Sequence, residues 1–247
     1  MIEAAKSLWF ERLFDRYNRH YLLPRHFHSV SLSGDPDTGS RGPLVYMANH
    51  CSWWDGLLVH YAVRRASRGD HYVMMEEKQL ERYPFFRKIG AFSINRTSPR
   101  SIRDSLRYAE TRIRHGGSIW LFPQGEIRHL EERPLAFQGG IGSLLERVPE
   151  AAAVPVTLYY SLAGHQKADA SLLFGTPVKE DWRRLGRRAA AEELRRLLQS
   201  QLDGHRELAL RAVAAEDGGM PCGFRPLMKP GVSTSDAFDS FKKRVGL

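Results

Sequence analysis

Only two cysteines, Cys51 and Cys222, occur in 247 residues. That excludes a disulfide framework and any Cys-x-x-Cys metal pair, and makes a reducing compartment the simpler expectation. No apolar run approaches the roughly 20 residues needed to span a bilayer. The first residues lack the charged start, apolar middle and small-residue cleavage site of a secretory signal. A Gly-x-Ser-x-Gly elbow, a His-Glu-x-x-His zinc pair, a GxxxxGK phosphate loop and a GxGxxG dinucleotide turn are also missing. So are zinc-finger and RNA-recognition spacings, internal repeats and low-complexity tracts.

What is present is a chain of 42% hydrophobic, 26% charged and 11% aromatic residues, enough to bury one substantial core. Lys and Arg number 37 against 28 Asp and Glu, for a net charge of +9. Such a surplus suits an anionic partner: nucleic acid, an acidic lipid surface or a phosphorylated small molecule. No nucleic-acid motif accompanies the charge, so no nucleic-acid partner is expected. A basic protein that only binds membrane or lipid stays open as an alternative.

Lys6 to Leu23 reads as an amphipathic helix. Phe10, Leu13, Phe14, Tyr17 and Tyr21 recur at helical spacing, Leu8 and Trp9 widen the stripe, and Arg12, Arg16 and Arg19 lie between. This composition suits a helix lying in a membrane interface, and equally one packed on a core. Pro24 is expected to end it. After a turn-rich loop, Ser33 to Gly39, short apolar runs alternate with helical patterns. The predicted strands are Leu44–Met47, Tyr72–Met75, Ala91–Ile94, Ile119–Phe122, Val154–Tyr160 and Ser171–Phe174. The predicted helices are Ser52–Arg65, Ser101–His115, Gly140–Arg147 and one long pattern from Asp181 to about Val213. Alternation of this kind predicts an α/β fold, with a mixed, largely parallel sheet flanked by helices. The expected organisation is an N-terminal amphipathic helix (1–24), a single domain (25–215) and a tail (216–247) ending in Phe241-Lys242-Lys243-Arg244.

The chemistry-bearing run is Asn49-His50-Cys51-Ser52-Trp53-Trp54-Asp55, at a strand-to-helix junction. Ser52 with Asp55 three residues on resembles a capping box, and Asp55 as a first-turn carboxylate has a purely structural role there. Within one helix, His50 and Asp55 would sit about 140° apart and could not touch. With Ser52 as the cap, His50 precedes the helix and can fold back onto Asp55, leaving one imidazole nitrogen free to accept a proton. A Ser52–His50–Asp55 triad is too crowded and in the wrong order for a serine hydrolase, so a lipid esterase is the weaker alternative. Cys51 points away from its neighbour His50, and Trp53 and Trp54 fit either an acyl channel or a core.

His50-x4-Asp55 resembles the first signature of the lysophospholipid and glycerol-phosphate acyltransferase family. Gly90-Ala91-Phe92-Ser93-Ile94-Asn95-Arg96 is similar to its second block, Phe122-Pro123-Gln124-Gly125-Glu126 to its third, and Ala153-Val154-Pro155-Val156 to its fourth. The Phe137-Gln138-Gly139-Gly140 stretch fits the region that follows the third block. The four blocks come in the family's order between positions 49 and 156. The resemblance implies a glycerol-phosphate acyltransferase-like fold and direct acyl transfer. His50 acts as general base and Asp55 orients it, with Arg96 holding acceptor phosphate and Gln124, Gly125 and Glu126 lining the acceptor site. Arg128 is a further candidate acceptor contact. Backbone amides near the Gly125 turn or the helix start are expected to hold the oxyanion. The donor is acyl-coenzyme A or acyl-carrier protein, entering as substrate, with no metal or redox cofactor. The partners are this donor, a lipid acceptor and an anionic membrane surface, and the expected location is the cytoplasmic, inner face of a membrane. Gln124 stands where the family usually has Glu, and Glu126-Ile127-Arg128 replaces the frequent Thr-Arg, so the acceptor need not be lysophosphatidic acid.

Overall fold

The computed structural model describes residues 1–39, 42–215, 220–231, 238 and 242. Among the described residues, eight strands form one sheet in the order β4-β3-β5-β2-β6-β7-β1-β8. They are β1 (Phe27–Ser33), β2 (Leu44–Ala48), β3 (Asp70–Glu76), β4 (Ala91–Ile94), β5 (Gly117–Leu121), β6 (Ala152–Ser161), β7 (Ala168–Phe174) and β8 (Arg225–Met228). All ladders are parallel except β6–β7 and β1–β8. The sheet is thus mixed and largely parallel, as the alternation predicts, and all six predicted strands are found.

The helices are α1 (Leu8–Tyr17), α2 (Leu23–His26), α3 (Asp55–Ala66), α4 (Glu77–Arg82), α5 (Pro99–Arg114), α6 (Gly140–Arg147), α7 (Trp182–Leu185) and α8 (Arg187–Ala214). Alternation along each strand sorts the core into two layers. Val45, Met47, Ile119 and Leu121 face α5, α6 and α8, packing on Leu106, Ile141, Leu144, Leu194 and Leu198. Leu44, Tyr46, Trp120 and Val154 face the opposite side, against Leu58, Val59 and Ala62 of α3. A third cluster joins Phe14 of α1 to Leu57, Leu80, Phe86 and Ile89. Among the described residues, no helix is long and apolar enough to cross a membrane.

Three expectations change. The first helix does not stop at Pro24. A π turn over Asn18–Leu22 intervenes, with the Leu23 amide bonded to the Asn18 carbonyl five residues back, and α2 carries Pro24 in its first turn. The wider turn removes the conflict between a proline ring and an i−4 hydrogen bond. The long C-terminal pattern is broken at Gly186 (φ +76), which separates α7 from α8. Part of the expected tail forms β8, paired with β1 at the sheet edge. Of Phe241 to Arg244, only Lys242 is among the described residues. β1 itself, Phe-His-Ser-Val-Ser-Leu-Ser, carries too little apolar alternation to announce a strand, and its identity comes from pairing with β7 and β8.

Candidate active site

The site forms where β2 and β5 end at their carboxyl edges and α3 begins. α3 starts at Asp55, not at Ser52. Ser52 Oγ accepts from the Trp54 amide (3.2 Å), closing a short turn before the helix, and Ser52 is not its capping residue. His50 therefore lies outside the helix and can turn back. Its Nδ1 is 2.7 Å from Asp55 Oδ2.

Asp55 is fully buried. The same Oδ2 accepts from the amides of Cys51 (2.7 Å) and Ser52 (2.9 Å), and Oδ1 accepts from the Tyr160 hydroxyl (2.5 Å). A carboxylate surrounded by donors matches its acceptor-only ionised form, so the Nδ1 proton points at Asp55 and Nε2 carries the lone pair. No described residue bonds Nε2, and His50 lines a cavity of 610 Å³. The Tyr160 hydroxyl is held well above the usual tyrosine range by burial and by Asp55. Burial, followed by the same carboxylate, pushes the Cys51 thiol up strongly, which keeps it protonated and inert beside His50.

The backbone of His50 is clamped on both sides by the Phe122–Arg128 loop. Its amide donates to Gln124 Oε1 (2.7 Å), and its carbonyl accepts from the Arg128 amide (2.9 Å). Asn49 ties the segment that carries His50 to β6, its side chain exchanging two bonds with the Leu158 backbone at 3.0 and 2.8 Å. The Phe122 ring packs 4.6 Å from the imidazole. With both backbone groups and one ring nitrogen fixed, the imidazole has a single orientation.

Arg96, Gly125 and Glu126 also line the cavity. Arg96 Nε is 3.1 Å from Glu76 Oε2, so its charge is already partnered. Gly125 sits at φ +77, and a Cβ there would meet Arg96 Nη1 at 3.0 Å and Gln138 Cγ at 3.2 Å. Both the turn and the close approach require glycine. Two candidates stand elsewhere than the sequence places them. Gln124 is buried, its carbonyl accepts from the His50 amide, and it is not among the residues lining the cavity. The Arg128 guanidinium is held between Glu126 and Glu132 (3.0 Å), which draws it into the loop's own ion pairs. The expected oxyanion donors are largely occupied as well. The Gly125 amide closes a turn on the Phe122 carbonyl (2.9 Å), while those of Cys51, Ser52, Trp54 and Asp55 are spent on the Asp55 carboxylate and the Ser52 turn.

Tyr160 and the bonding role of Asn49 are absent from the sequence reading. Asn49 adjoins His50, and its neighbourhood is a usable signal. Tyr160 lies 105 residues from Asp55 at the end of β6, and nothing in its local sequence distinguishes it.

A profile described as Acyltransferase matches residues 29–159, just over half of the chain. A chloroplastic 1-acyl-sn-glycerol-3-phosphate acyltransferase of Brassica napus is 26% identical over 164 residues, which cover 60% of this chain and 45% of that protein. The match thus spans less than half of that relative's length. The crystal structure of the 1-acyl-sn-glycerophosphate (LPA) acyltransferase PlsC from Thermotoga maritima superposes with a TM-score of 0.55 at 13% identity. It covers 80% of this chain and 77% of that one, a likeness of fold.

Proposed function

The chain belongs to the acyltransferase family, and from that premise we propose that it moves a fatty acyl group from a coenzyme A or carrier-protein thioester to the hydroxyl of a lysophospholipid-like acceptor. The observation that carries this reading is the 2.7 Å contact of His50 Nδ1 with a fully buried Asp55, which leaves Nε2 as the base. Nε2 takes the proton of the acceptor hydroxyl as its oxygen attacks the thioester carbonyl carbon. The tetrahedral intermediate collapses, the C–S bond breaks, and the imidazolium returns its proton to the leaving thiolate. Asp55 stabilises the imidazolium while it exists. Arg96, on the cavity wall, is the group for acceptor phosphate, exchanging Glu76 for the incoming anion. The cavity walls suit an acyl chain, since Leu57, Val63, Phe86 and Ile89 are apolar.

α1 supports work at the inner, cytoplasmic face of an anionic membrane. Its apolar stripe is split: Phe14 is buried, whereas Leu8 is 71% and Trp9 70% exposed, with Leu13, Tyr17 and Tyr21 also exposed. Arg12, Arg16 and Arg19 are exposed beside them, so the free face offers apolar anchors with a basic rim.

The test is incubation with labelled acyl-coenzyme A or acyl-carrier protein and a panel of lysophospholipids, glycolipids and hydroxylated lipids, with products identified by mass spectrometry. New ester that disappears in His50→Ala is expected. Label released only as free fatty acid would instead establish an esterase, and vesicle binding without product a lipid-binding protein.

A further inference from the structure

The cavity beside His50 is lined from both faces of the sheet. The β3–β5 ladder ends at Val73↔Trp120, whereas β3 continues along β4 as far as Glu76↔Ile94. Past Val73, then, the sheet has no hydrogen bonds between β3 and β5, and residues of both layers meet in one cavity there. Neighbouring residues of a strand point to opposite sides. Met75 packs with Leu57, Phe86 and Ile89 on the α3 side, and Met74 packs with Leu106 and Ile141 on the α5 and α6 side, yet all seven line the same space.

The apolar lining thus falls into two arms, one on each side of the sheet. The α3 arm, with Leu57, Val63 and Met75, adjoins His50 in the chain, since Trp53 and Leu57 follow it across the start of α3. The α5/α6 arm, with Met74, Ile94, Ile102 and Leu106, adjoins Arg96 in the chain, which lies between Ile94 of β4 and Ile102 of α5. Polar groups at the junction and hydrocarbon walls on both sides fit a reaction in which two chain-bearing molecules present their polar ends to one base.

We infer that the two arms hold two hydrocarbon chains at once, the donor's acyl chain on the α3 side and the chain of an already acylated acceptor on the α5/α6 side. The inference rests on the acyl-transfer reading and deepens it. The assignment of arms follows which of them adjoins His50 and which adjoins Arg96. The thioester carbonyl must reach His50 Nε2 through the attacking oxygen, so its chain enters the arm that adjoins His50. The acceptor's headgroup anion belongs at Arg96, so the chain behind it enters the arm that adjoins Arg96. A chainless acceptor such as glycerol 3-phosphate leaves the second arm unfilled and forgoes that burial. Donor and acceptor chain preferences are therefore set by different residues.

Met74 and Met75 provide the test because they are adjacent in sequence and face opposite arms. Met74→Trp should shift the acceptor-chain profile toward shorter chains, by about fourfold in kcat/KM per methylene excluded, and leave the donor profile unchanged. Met75→Trp should do the reverse. Met74→Phe and Met75→Phe give the same pattern at smaller amplitude should an indole prevent folding, with circular dichroism as the check. Both substitutions shifting the same substrate's profile, or the wild type using glycerol 3-phosphate as well as a single-chain lipid, would overturn the two-chain arrangement while leaving acyl transfer standing. A wild type that forms no ester with any pair would overturn acyl transfer itself.

Discussion

Replacing Asp55 by Asn isolates what its charge contributes, because the shape is kept. An asparagine can place its carbonyl where Oδ2 stands, accepting from His50 Nδ1 and the amides of Cys51 and Ser52, and turn its NH2 toward Tyr160, whose hydroxyl can rotate to accept. The loop survives in that arrangement, and the histidine keeps its tautomer. What disappears is the attraction between carboxylate and imidazolium in the transition state. At 2.7 Å and an effective dielectric near 20, that attraction is about 6 kcal/mol. The amide dipole recovers part, so the net loss is roughly 4 kcal/mol, or about 10³-fold in kcat. KM for either substrate should change little, since neither touches Asp55, and the thermal midpoint should fall by only a few degrees. Steady-state kinetics with a saturating donor, run beside a melting curve, read both quantities. A folded Asp55→Asn enzyme within about tenfold of wild type would refute a catalytic charge at this position and leave Asp55 as a structural cap.

Arg96→Ala should raise the KM of a phosphorylated acceptor by about 10- to 100-fold, the worth of one or two charge-assisted hydrogen bonds, and leave the donor KM within about twofold. Equal effects on both would contradict the phosphate role. The double variant Trp9→Gln, Leu13→Gln removes exposed anchors without touching buried Phe14. It should weaken sedimentation with anionic vesicles, most visibly at high salt, with no change in melting temperature, and unchanged sedimentation would remove α1 from the membrane contact. Burial lowers His60 to about 3, His71 to about 4 and His205 to about 4. The unfolded chain therefore takes up protons first as pH falls, and stability present above about pH 6.5 is lost between pH 6.5 and 4, by roughly 1.4 kcal/mol per pH unit for each histidine. Urea midpoints across that window check this, and His205→Gln should remove about a third of the slope. An unchanged slope would mean His205 titrates alike in both states.

The sequence by itself determined the layer architecture and the contact between His50 and Asp55. Apolar runs such as Val154–Tyr160 and helical periodicity such as Gly140–Arg147 are local signals, and both survive folding because burial rewards the residues that create them. The contact of His50 with Asp55 was legible because His50 precedes a helix start and can fold back, and the role expected of the pair came from the resemblance of the four blocks. Tertiary structure decided whatever depends on partners distant in the chain. β1 and β8 are strands because they have a sheet edge to join. Tyr160 reaches Asp55 only because β6 lies beside β2, and Gln124 meets the His50 amide only because the loop after β5 folds over the end of β2. A glutamine facing an acceptor and one bracing a histidine are indistinguishable in sequence. The direction of a side chain at a loop is set by the hydrogen bonds it finds, and those belong to the assembled sheet.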